Sequence, residues 1–364
     1  MPTPEERFAS VVDDLVEDIR EQKCILLIGP EVIQIQGKPL LKYVYEEVLK
    51  THRDDILYYY EQDSLFLFQN EKAKFNVSRQ LRRIYNQLDF PGEVYRKILE
   101  IPFHLIISLS SDNYLANAAS GAQYGVPHHF HFFMSNGEAN DEVPEPDRNT
   151  PLIYNISGCI TEEESLVLDY EDLFQLLRTA LGPDGLPTNL RKKLKDARSF
   201  LFLGFDFEKW YSQLLLQLLT GDRKGRQKFA INTRTGENTA RDFLLHQFSL
   251  EFLGNDQALF NELYARCATE KLLRQLKQPM AVDAEAIANL KTLVGENKLE
   301  EVLETLDRVS VGAEYNDWSL TLKRRYKDWN QKKHNGTLRP WEEDEINRIT
   351  EDVLKLITQM QHRP

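Results

Sequence analysis

Short apolar runs, each stopping at a small or polar residue, constrain the fold of this chain more than any other feature. The three clearest are CILLIGPEV at 24–32, FHLIISLSSDNYLANA at 103–118 and IYNISG at 153–158. Such runs are typical of parallel strands that are buried on both faces and that deliver their carboxyl ends to a ligand crevice. They predict an α/β fold.

Strand-like and helix-like segments alternate along most of the chain. Further strands are predicted at 129–134, 166–168, 199–203, 228–231 and 248–252. Helical spacing of apolar residues predicts helices at 5–22, 40–49, 113–119, 170 onward, 210–219 and 238–246, and most of 53–100 is also predicted to be helical. Trp210, Tyr211 and the leucines after them are expected in the core. The alternation predicts a Rossmann-like, doubly wound parallel sheet over residues 1–275.

The pattern changes after residue 275. Residues 276–282 contain a proline and are predicted to be a linker. Residues 283–364 contain no strand-like run, and helices are predicted at 284–294, 299–309, 320–332 and 341–360. A small all-α domain is therefore expected at the C-terminus.

Composition narrows the functional classes. The formal net charge of −12 argues against a nucleic-acid partner. The three cysteines are widely spaced and form neither a disulfide framework nor a zinc pattern, so a reducing, cytoplasmic location is expected. No window of 18 uninterrupted apolar residues is present, so no membrane association is expected. The cluster at 128–131 has three histidines but no carboxylate or cysteine at ligand spacing, and no metal is predicted.

Four segments resemble, in the right order, the sirtuin-like domains of bacterial conflict and anti-phage systems. LLIGPEV at 26–32 stands where that family has its glycine-rich first turn. IISLSSDNYL at 106–115 stands where the family has a strand followed by an asparagine and an aspartate. The segments at 153–177 and 199–219 resemble the family's later strand–turn–helix units. The resemblance implies a Rossmann-like fold, with NAD or a related adenine nucleotide as the possible ligand.

The first turn departs from the family pattern. Active members use several glycines there, so that backbone N–H groups approach the dinucleotide phosphates. Here only Gly29 remains, followed by Pro30, which has no N–H, and Glu31, which would repel a pyrophosphate.

The catalytic positions also depart from the pattern. By the resemblance, the family asparagine falls at Ser110, its aspartate at Asp112, its earlier histidine at Asn155 and its catalytic histidine at Ser157. Serine has no group that titrates near neutral pH, so it cannot replace imidazole as a general base, whose loss removes roughly 10²–10⁴-fold in rate. No catalytic residue is assigned with certainty, and Asp112 is the candidate if the protein is active.

The candidate nucleotide-binding residues share a position at or after the carboxyl ends of predicted strands. They are Gly29, Ser108, Ser110, Asp112, Asn113, Asn155, Ser157, Gly158 and Gly204.

The C-terminal region resembles an effector-associated domain, a small helical adaptor that joins proteins in bacterial immune-like systems. The cues are LKTLVGENKLEEVLETL at 290–306 and the aromatic and basic helix around residues 315–334. The resemblance implies a protein partner bound through 283–364, either another protein with such a domain or a second copy, and hence a homo-oligomer. The candidate partner-binding residues are Arg324, Arg325, Tyr326 and Trp329.

Three functional hypotheses remain open. In the first, the chain is a catalytically degenerate component of a conflict system and either senses a nucleotide or acts as a scaffold. In the second, it is an active NAD-hydrolysing effector that uses Asp112, with a water held by Asn113 or Asn155. In the third, it is a structural oligomerisation protein with an empty crevice.

Overall fold

A computed structural model describes most of the chain. The described residues are 3–88, 92–120, 124–134, 142–182, 185–207, 209–221, 226–231, 238–253, 258–276, 284–296, 298–309, 313–337 and 345–361.

The strands occupy the first 252 residues. They are β1 (Cys24–Ile28), β2 (Gln34–Ile35), β3 (Lys38–Pro39), β4 (Ile56–Tyr60), β5 (Leu65–Phe68), β6 (Leu105–Ser108), β7 (His129–Phe132), β8 (Leu152–Asn155), β9 (Ser199–Leu203), β10 (Gln227–Ile231) and β11 (Leu250–Phe252).

The helices of the described residues alternate with these strands and then continue alone. They are α1 (Pro4–Arg20), α2 (Leu40–Thr51), α3 (Glu71–Gln87), α4 (Gly92–Glu100), α5 (Tyr114–Ser120), α6 (Tyr170–Ala180), α7 (Thr188–Asp196), α8 (Trp210–Thr220), α9 (Asn238–Phe248), α10 (Ala258–Thr269), α11 (Ala284–Gly295), α12 (Leu299–Val309), α13 (Ala313–His334) and α14 (Glu345–Gln361).

Seven of the described strands form one sheet in the order β11-β10-β9-β1-β6-β8-β7, and every neighbouring pair is parallel. The central strands β1, β6, β8 and β9 are buried along their whole length. This burial explains why the strands are apolar except at their ends, because helices cover both faces of a doubly wound sheet. The predicted Rossmann-like fold is confirmed.

The segment 53–100 differs from the prediction. Its aromatic first part forms an antiparallel hairpin of β4 and β5, and only the later part is helical, in α3 and α4. Aromatic residues favour pleated strands, and Ser64 adopts a left-handed conformation in the connecting turn, with φ of 56°. The expectation of a mostly helical segment was therefore wrong for 56–68.

The predicted strand at 166–168 is also wrong. These residues form an extended loop after a short 3₁₀ turn at Glu163–Ser165. Leu168 makes one ladder-like contact, in which its carbonyl oxygen accepts the N–H of Phe66 at 2.8 Å. Two buried leucines in so short a run imitate a strand because burial alone does not specify pairing.

Polar contacts at the N-terminus of α6 close that helix end and join it to α3. Lys74 of α3 lies between the carboxylates of Asp169 and Asp172 at the start of α6, at 2.8 and 2.6 Å. The α6 N-terminus is closed by a capping box in which Asp169 and Asp172 bond each other's backbone N–H groups.

Arg274, the last residue of the sheet-containing unit, forms several hydrogen bonds to backbone carbonyl oxygens of that unit. Its guanidinium donates to the carbonyl oxygens of Leu99 at 2.6 Å, Ile101 at 3.2 Å and Arg148 at 2.6 Å, and also to that of Phe103. Its own N–H donates to the carbonyl of Glu100 at 2.7 Å. Burial lowers the pKa of Arg274 to about 10.

The C-terminal helices α11 to α14 have their own apolar core. Leu290, Val302, Leu306, Leu322 and Ile349 are all completely or almost completely buried in it. α13 is longer than predicted, and α14 begins at Glu345, after residues 338–344, which lie outside the described part of the chain. The predicted helical domain is present.

The chain divides into two compact units, Met1–Ala116 with Pro127–Arg274, and Asn117–Val126 with Gln275–Pro364. The predicted linker, 276–282, lies outside the described residues except for residue 276. The exact domain boundaries remain a prediction.

Candidate functional site

The candidate residues gather at one edge of the sheet because its strands are parallel. Gly29 follows β1, Ser108 ends β6, Asn155 ends β8 and Gly204 follows β9. The registers place Ile28 beside both Ser108 and Leu203, and Ser108 beside Asn155, so the four strand ends are neighbours in the sheet.

The turn after β1 is packed directly against the turn after β9. A Cβ at Gly29 would lie 2.1 Å from the carbonyl oxygen of Gly204, so only glycine fits. Gly204 has a φ of 64°, and a Cβ there would lie 2.3 Å from the backbone nitrogen of Val32. The two glycines permit a close backbone approach between strands, which is the use of glycine in such turns.

The backbone donors of this first turn are already occupied. The N–H of Gly29 donates to the Leu203 carbonyl at 2.8 Å, and the N–H of Glu31 donates to the Gly204 carbonyl at 3.0 Å. Between them, Pro30 contributes no N–H. The chain then forms the β2–β3 hairpin before α2 begins, so the turn does not lead straight into a helix N-terminus, where a phosphate would be bound.

Asp112 is a buried carboxylate at the start of α5. It accepts hydrogen bonds from the backbone N–H of Tyr114 at 3.0 Å and from the hydroxyl of Ser110. Asn155 reaches across from β8, and its Nδ2 donates to the backbone carbonyl of Asp112 at 2.6 Å. Burial raises the pKa of Asp112, and the bonds from Ser110 and Tyr114 oppose that rise.

Ser108 and Ser110 stabilise the chain between β6 and α5. The Ser108 hydroxyl accepts the Ser110 N–H at 3.1 Å and lies 3.2 Å from the Ser110 carbonyl oxygen, to which it donates. Asn113 lies half-buried in the same connection. Gly158 has a φ of 83° and packs against Ser165, so that a Cβ added to it would lie 2.0 Å from the Ser165 carbonyl oxygen.

Six of the candidate residues line one or both of two cavities. Gly29, Ser108, Asp112 and Asn155 line the first, which leaves about 10 Å³, enough for about one water molecule. Ser157 lines the second, which is larger, at about 70 Å³. Ser110 lines both cavities.

The second cavity includes residues that the sequence did not single out. Lys209 and Asp206, from the segment between β9 and α8, line it together with Ser64 of the β4–β5 turn. The Nζ of Lys209 donates to the Ser64 hydroxyl at 2.8 Å, and burial lowers the pKa of Lys209. The signal available in the sequence was an acid and a base directly after a buried strand, at a crevice-forming position.

The helix α8 is less buried than predicted. Tyr211 is half-buried and donates its hydroxyl to the Asp63 carbonyl at 2.9 Å, but Trp210 is 39% exposed and Leu214 is 41% exposed. The prediction of a core position was wrong for Trp210 and Leu214. The apolar residues of α8 lie on all sides of the helix, so their spacing does not mark which face is buried.

The partner-binding candidates lie on α13. Arg325 forms ion pairs within the chain, with Glu345 and Asp352 of α14, both at 2.8 Å. Trp329 is largely buried, stacks on Tyr326 at 6.3 Å between ring centroids and carries the Lys333 ammonium 4.8 Å over its ring. The side chain of Arg324 lies outside what the structure describes.

Metal-binding clusters and membrane spans are both absent from the described ranges. No group of three or more histidine, cysteine, aspartate or glutamate residues in those ranges is arranged to hold a metal ion. No helix of the described residues combines the length and apolarity needed to cross a membrane.

Two protein families match this chain. The family model of a SIR2-like domain matches residues 104–253, and that of effector-associated domain 11 matches residues 285–361. No curated protein matches the chain. The chain therefore carries a SIR2-like domain followed by an effector-associated domain, and the predicted fusion is confirmed. This pair of domains suggests a component of a conflict- or defence-type system.

Proposed function

We propose that this protein is a catalytically degenerate SIR2-like component of a conflict system, which acts as a protein-interaction scaffold through its effector-associated domain. One observation carries the proposal: the backbone donors after β1 are bonded to the turn after β9. A bound dinucleotide phosphate would have to break the bonds of Gly29 and Glu31 and would face the Glu31 carboxylate. Each broken bond would leave a buried carbonyl oxygen without its hydrogen bond, at a cost of about 1–3 kcal/mol.

The residues at the catalytic positions support the same proposal. Ser110 and Ser157 supply hydroxyls where a hydrolase needs an orienting amide and a general base. Asp112 is hydrogen-bonded and lines a cavity that holds about one water molecule, which is too small for a nicotinamide ring.

Hydrolysis of NAD by Asp112 is the second candidate. It is favoured by the raised pKa of Asp112, since a base that works near neutral pH needs a pKa closer to neutrality. In this reaction the carboxylate would take a proton from water, whose oxygen would replace nicotinamide at the ribose carbon.

The two candidates differ in the release of nicotinamide from NAD. The full chain and the Asp112→Asn variant should both release none above the buffer rate, as followed by chromatography. The variant combining Ser110→Asn with Ser157→His should also stay inactive, because the closed turn remains. Steady turnover by the unaltered chain that Asp112→Asn abolishes would replace the scaffold proposal with the hydrolase.

Nucleotide sensing is separated from scaffolding by a thermal-shift series with adenine nucleotides, including NAD and ADP-ribose. The scaffold proposal expects no stabilisation at millimolar concentration. A ligand present at 100 times its Kd would add about 2.7 kcal/mol of stability. A shift of that size, lost in the Asp112→Asn variant, would make the protein a sensor.

The adaptor role is tested with residues 280–364 alone. A helical circular dichroism spectrum and salt-sensitive association in ultracentrifugation are expected, because charge contacts at an interface rim are screened by salt. Lys327→Glu is the informative variant, since Lys327 is exposed, whereas Arg325 is held by two carboxylates of its own domain. A disordered spectrum, or a monomer under all salt conditions that binds no domain of its own kind, would remove this role.

A further inference from the structure

A continuous row of aromatic side chains lies on the surface of the compact unit Met1–Ala116 with Pro127–Arg274, which contains the SIR2-like match and is called the SIR2-like unit below. We call it the aromatic ribbon, and it consists of Tyr58, Tyr60, Tyr170, Phe174 and Trp210. Successive ring centroids are 4.8, 5.1, 6.3 and 6.2 Å apart. The ribbon crosses three elements, since Tyr58 and Tyr60 belong to β4, Tyr170 and Phe174 to α6, and Trp210 to α8.

Much of the ribbon is open to solvent. Tyr58 is 57% exposed, Phe174 58% and Trp210 39%. Exposed Leu214 stands one helical turn after Trp210 on α8. Single exposed apolar residues need no explanation, but a connected patch of large ones marks an interaction site.

The ribbon ends at an acidic groove. This groove, of about 510 Å³, is lined by Trp210 and by four carboxylates, those of Glu31, Glu61, Asp63 and Asp206. Its two amines are engaged, because Lys42 lies 2.8 Å from Glu61 and Lys209 donates to Ser64. Four carboxylates against two amines leave the lining net negative, and Trp210 belongs to both features.

Aromatic faces beside carboxylates are the chemistry that recognises arginine. A guanidinium stacks on an aromatic ring while its N–H groups bond a carboxylate, and both contacts strengthen away from bulk water. The same lining repels phosphate, so it opposes nucleotides and nucleic acids. Two copies meeting here through a two-fold axis would bring equal acidic rims together, which costs free energy.

We propose that the aromatic ribbon and the acidic groove dock a basic amphipathic segment of a partner protein, with apolar side chains on Phe174 and an arginine against Trp210 and Asp63. This surface is distinct from the effector-associated domain. The inference holds whether or not the SIR2-like domain hydrolyses NAD.

Binding is tested with the full chain and a short fluorescein-labelled helical peptide that carries leucine on one face and arginine on the other. Fluorescence anisotropy should show saturable binding, and the same peptide with glutamate for arginine should not bind. Phe174→Ala and Trp210→Ala should each weaken binding about tenfold or more, as expected of central aromatic anchors. Asp63→Asn, which keeps an acceptor for the Tyr170 hydroxyl, should weaken binding and reduce its dependence on salt.

Two control variants match these changes elsewhere on the unit. Phe243→Ala removes an aromatic ring that is 50% exposed on α9, and Glu262→Gln removes an exposed carboxylate on α10. Both should bind the arginine peptide like the unaltered chain, and melting curves should show that every variant is folded.

Three outcomes would overturn the proposal. One is the absence of arginine-peptide binding at millimolar protein. Another is equal loss of binding in the control variants. The third is a dimer in sedimentation velocity that Phe174→Glu dissociates, because a second copy would then occupy the ribbon.

Discussion

Replacing Gly29 with alanine tests whether the turn after β1 is a packing device. The new Cβ would lie 2.1 Å from the Gly204 carbonyl oxygen and 2.8 Å from the Cα of Phe205. Both neighbours are backbone atoms, so no side chain can rotate away. The two turns would have to move apart by at least about 1.3 Å to bring the 2.1 Å contact to the 3.4 Å at which ordinary van der Waals contact begins.

The expected loss follows from the strain and the weakened bonds. Overpacking a close contact costs about 1–3 kcal/mol. Separation would also weaken the bonds from Gly29 to Leu203 and from Glu31 to Gly204, each worth about 0.5–1.5 kcal/mol. A total near 3 kcal/mol would lower the melting temperature of the SIR2-like unit by about 6–12 °C, at roughly 2–4 °C per kcal/mol for a unit of this size.

Scanning calorimetry of the full chain measures this loss, because the two units can give separate transitions. Gly37→Ala is the matched control. Gly37 has a φ of 74°, but no atom lies within 4 Å of the place a Cβ would take, so alanine there brings only the left-handed backbone cost of about 1–2 kcal/mol. If the melting temperature of Gly29→Ala equals that of Gly37→Ala, the packing argument is refuted. The turn after β1 would then be free to open for a ligand.

Three further predictions concern stability. Burial lowers the pKa of His104 from 6.5 to about 3, so between these pH values the unfolded chain binds one more proton than the folded chain. The free energy of unfolding therefore falls as pH falls, by about 2 kcal/mol between pH 7 and pH 5. His104→Leu should remove this part of the pH dependence, as measured by urea titrations at the two pH values. Lys74→Met should cost about 2–4 kcal/mol by thermal unfolding, because it leaves Asp169 and Asp172 partly buried without a cation, and an unchanged midpoint would contradict this. Arg325→Met should lower the stability of the effector-associated domain by about 1–2 kcal/mol, seen as an earlier transition of that unit alone.

The sequence was sufficient for the parts of the fold that rest on local pattern. β1, β6, β8 and β9 are mostly apolar, with polar residues only at strand ends, because both faces of a central parallel strand are buried. Parallel strands share one carboxyl edge, so Gly29, Ser108, Asp112 and Asn155 could be expected to meet from their positions in the sequence, and they line one cavity. Whether they bind a nucleotide remains a prediction.

Long-range packing supplied what the sequence did not. The donors after β1 are bonded to the Leu203 and Gly204 carbonyls, and no local signal reports that partnership. The second cavity depends on a contact between the β4–β5 turn and Lys209, the residue before α8. The sequence did not predict this hairpin, because β4 and β5 lie between the helices α2 and α3. Trp210 resembles a core residue in the sequence because five leucines follow it in the same helix.

The bonds of Arg274 have a mechanical consequence. Arg274 is where the chain leaves the sheet-containing unit, and its guanidinium and backbone N–H together bond five carbonyl oxygens, those of Leu99, Glu100, Ile101, Phe103 and Arg148. Tension that arrives along the following residues would be shared among these bonds before it stretched α10 or the sheet. A partner that pulls on the effector-associated domain would thus load an anchor that lies at the amino ends of the strands, opposite the crevice edge.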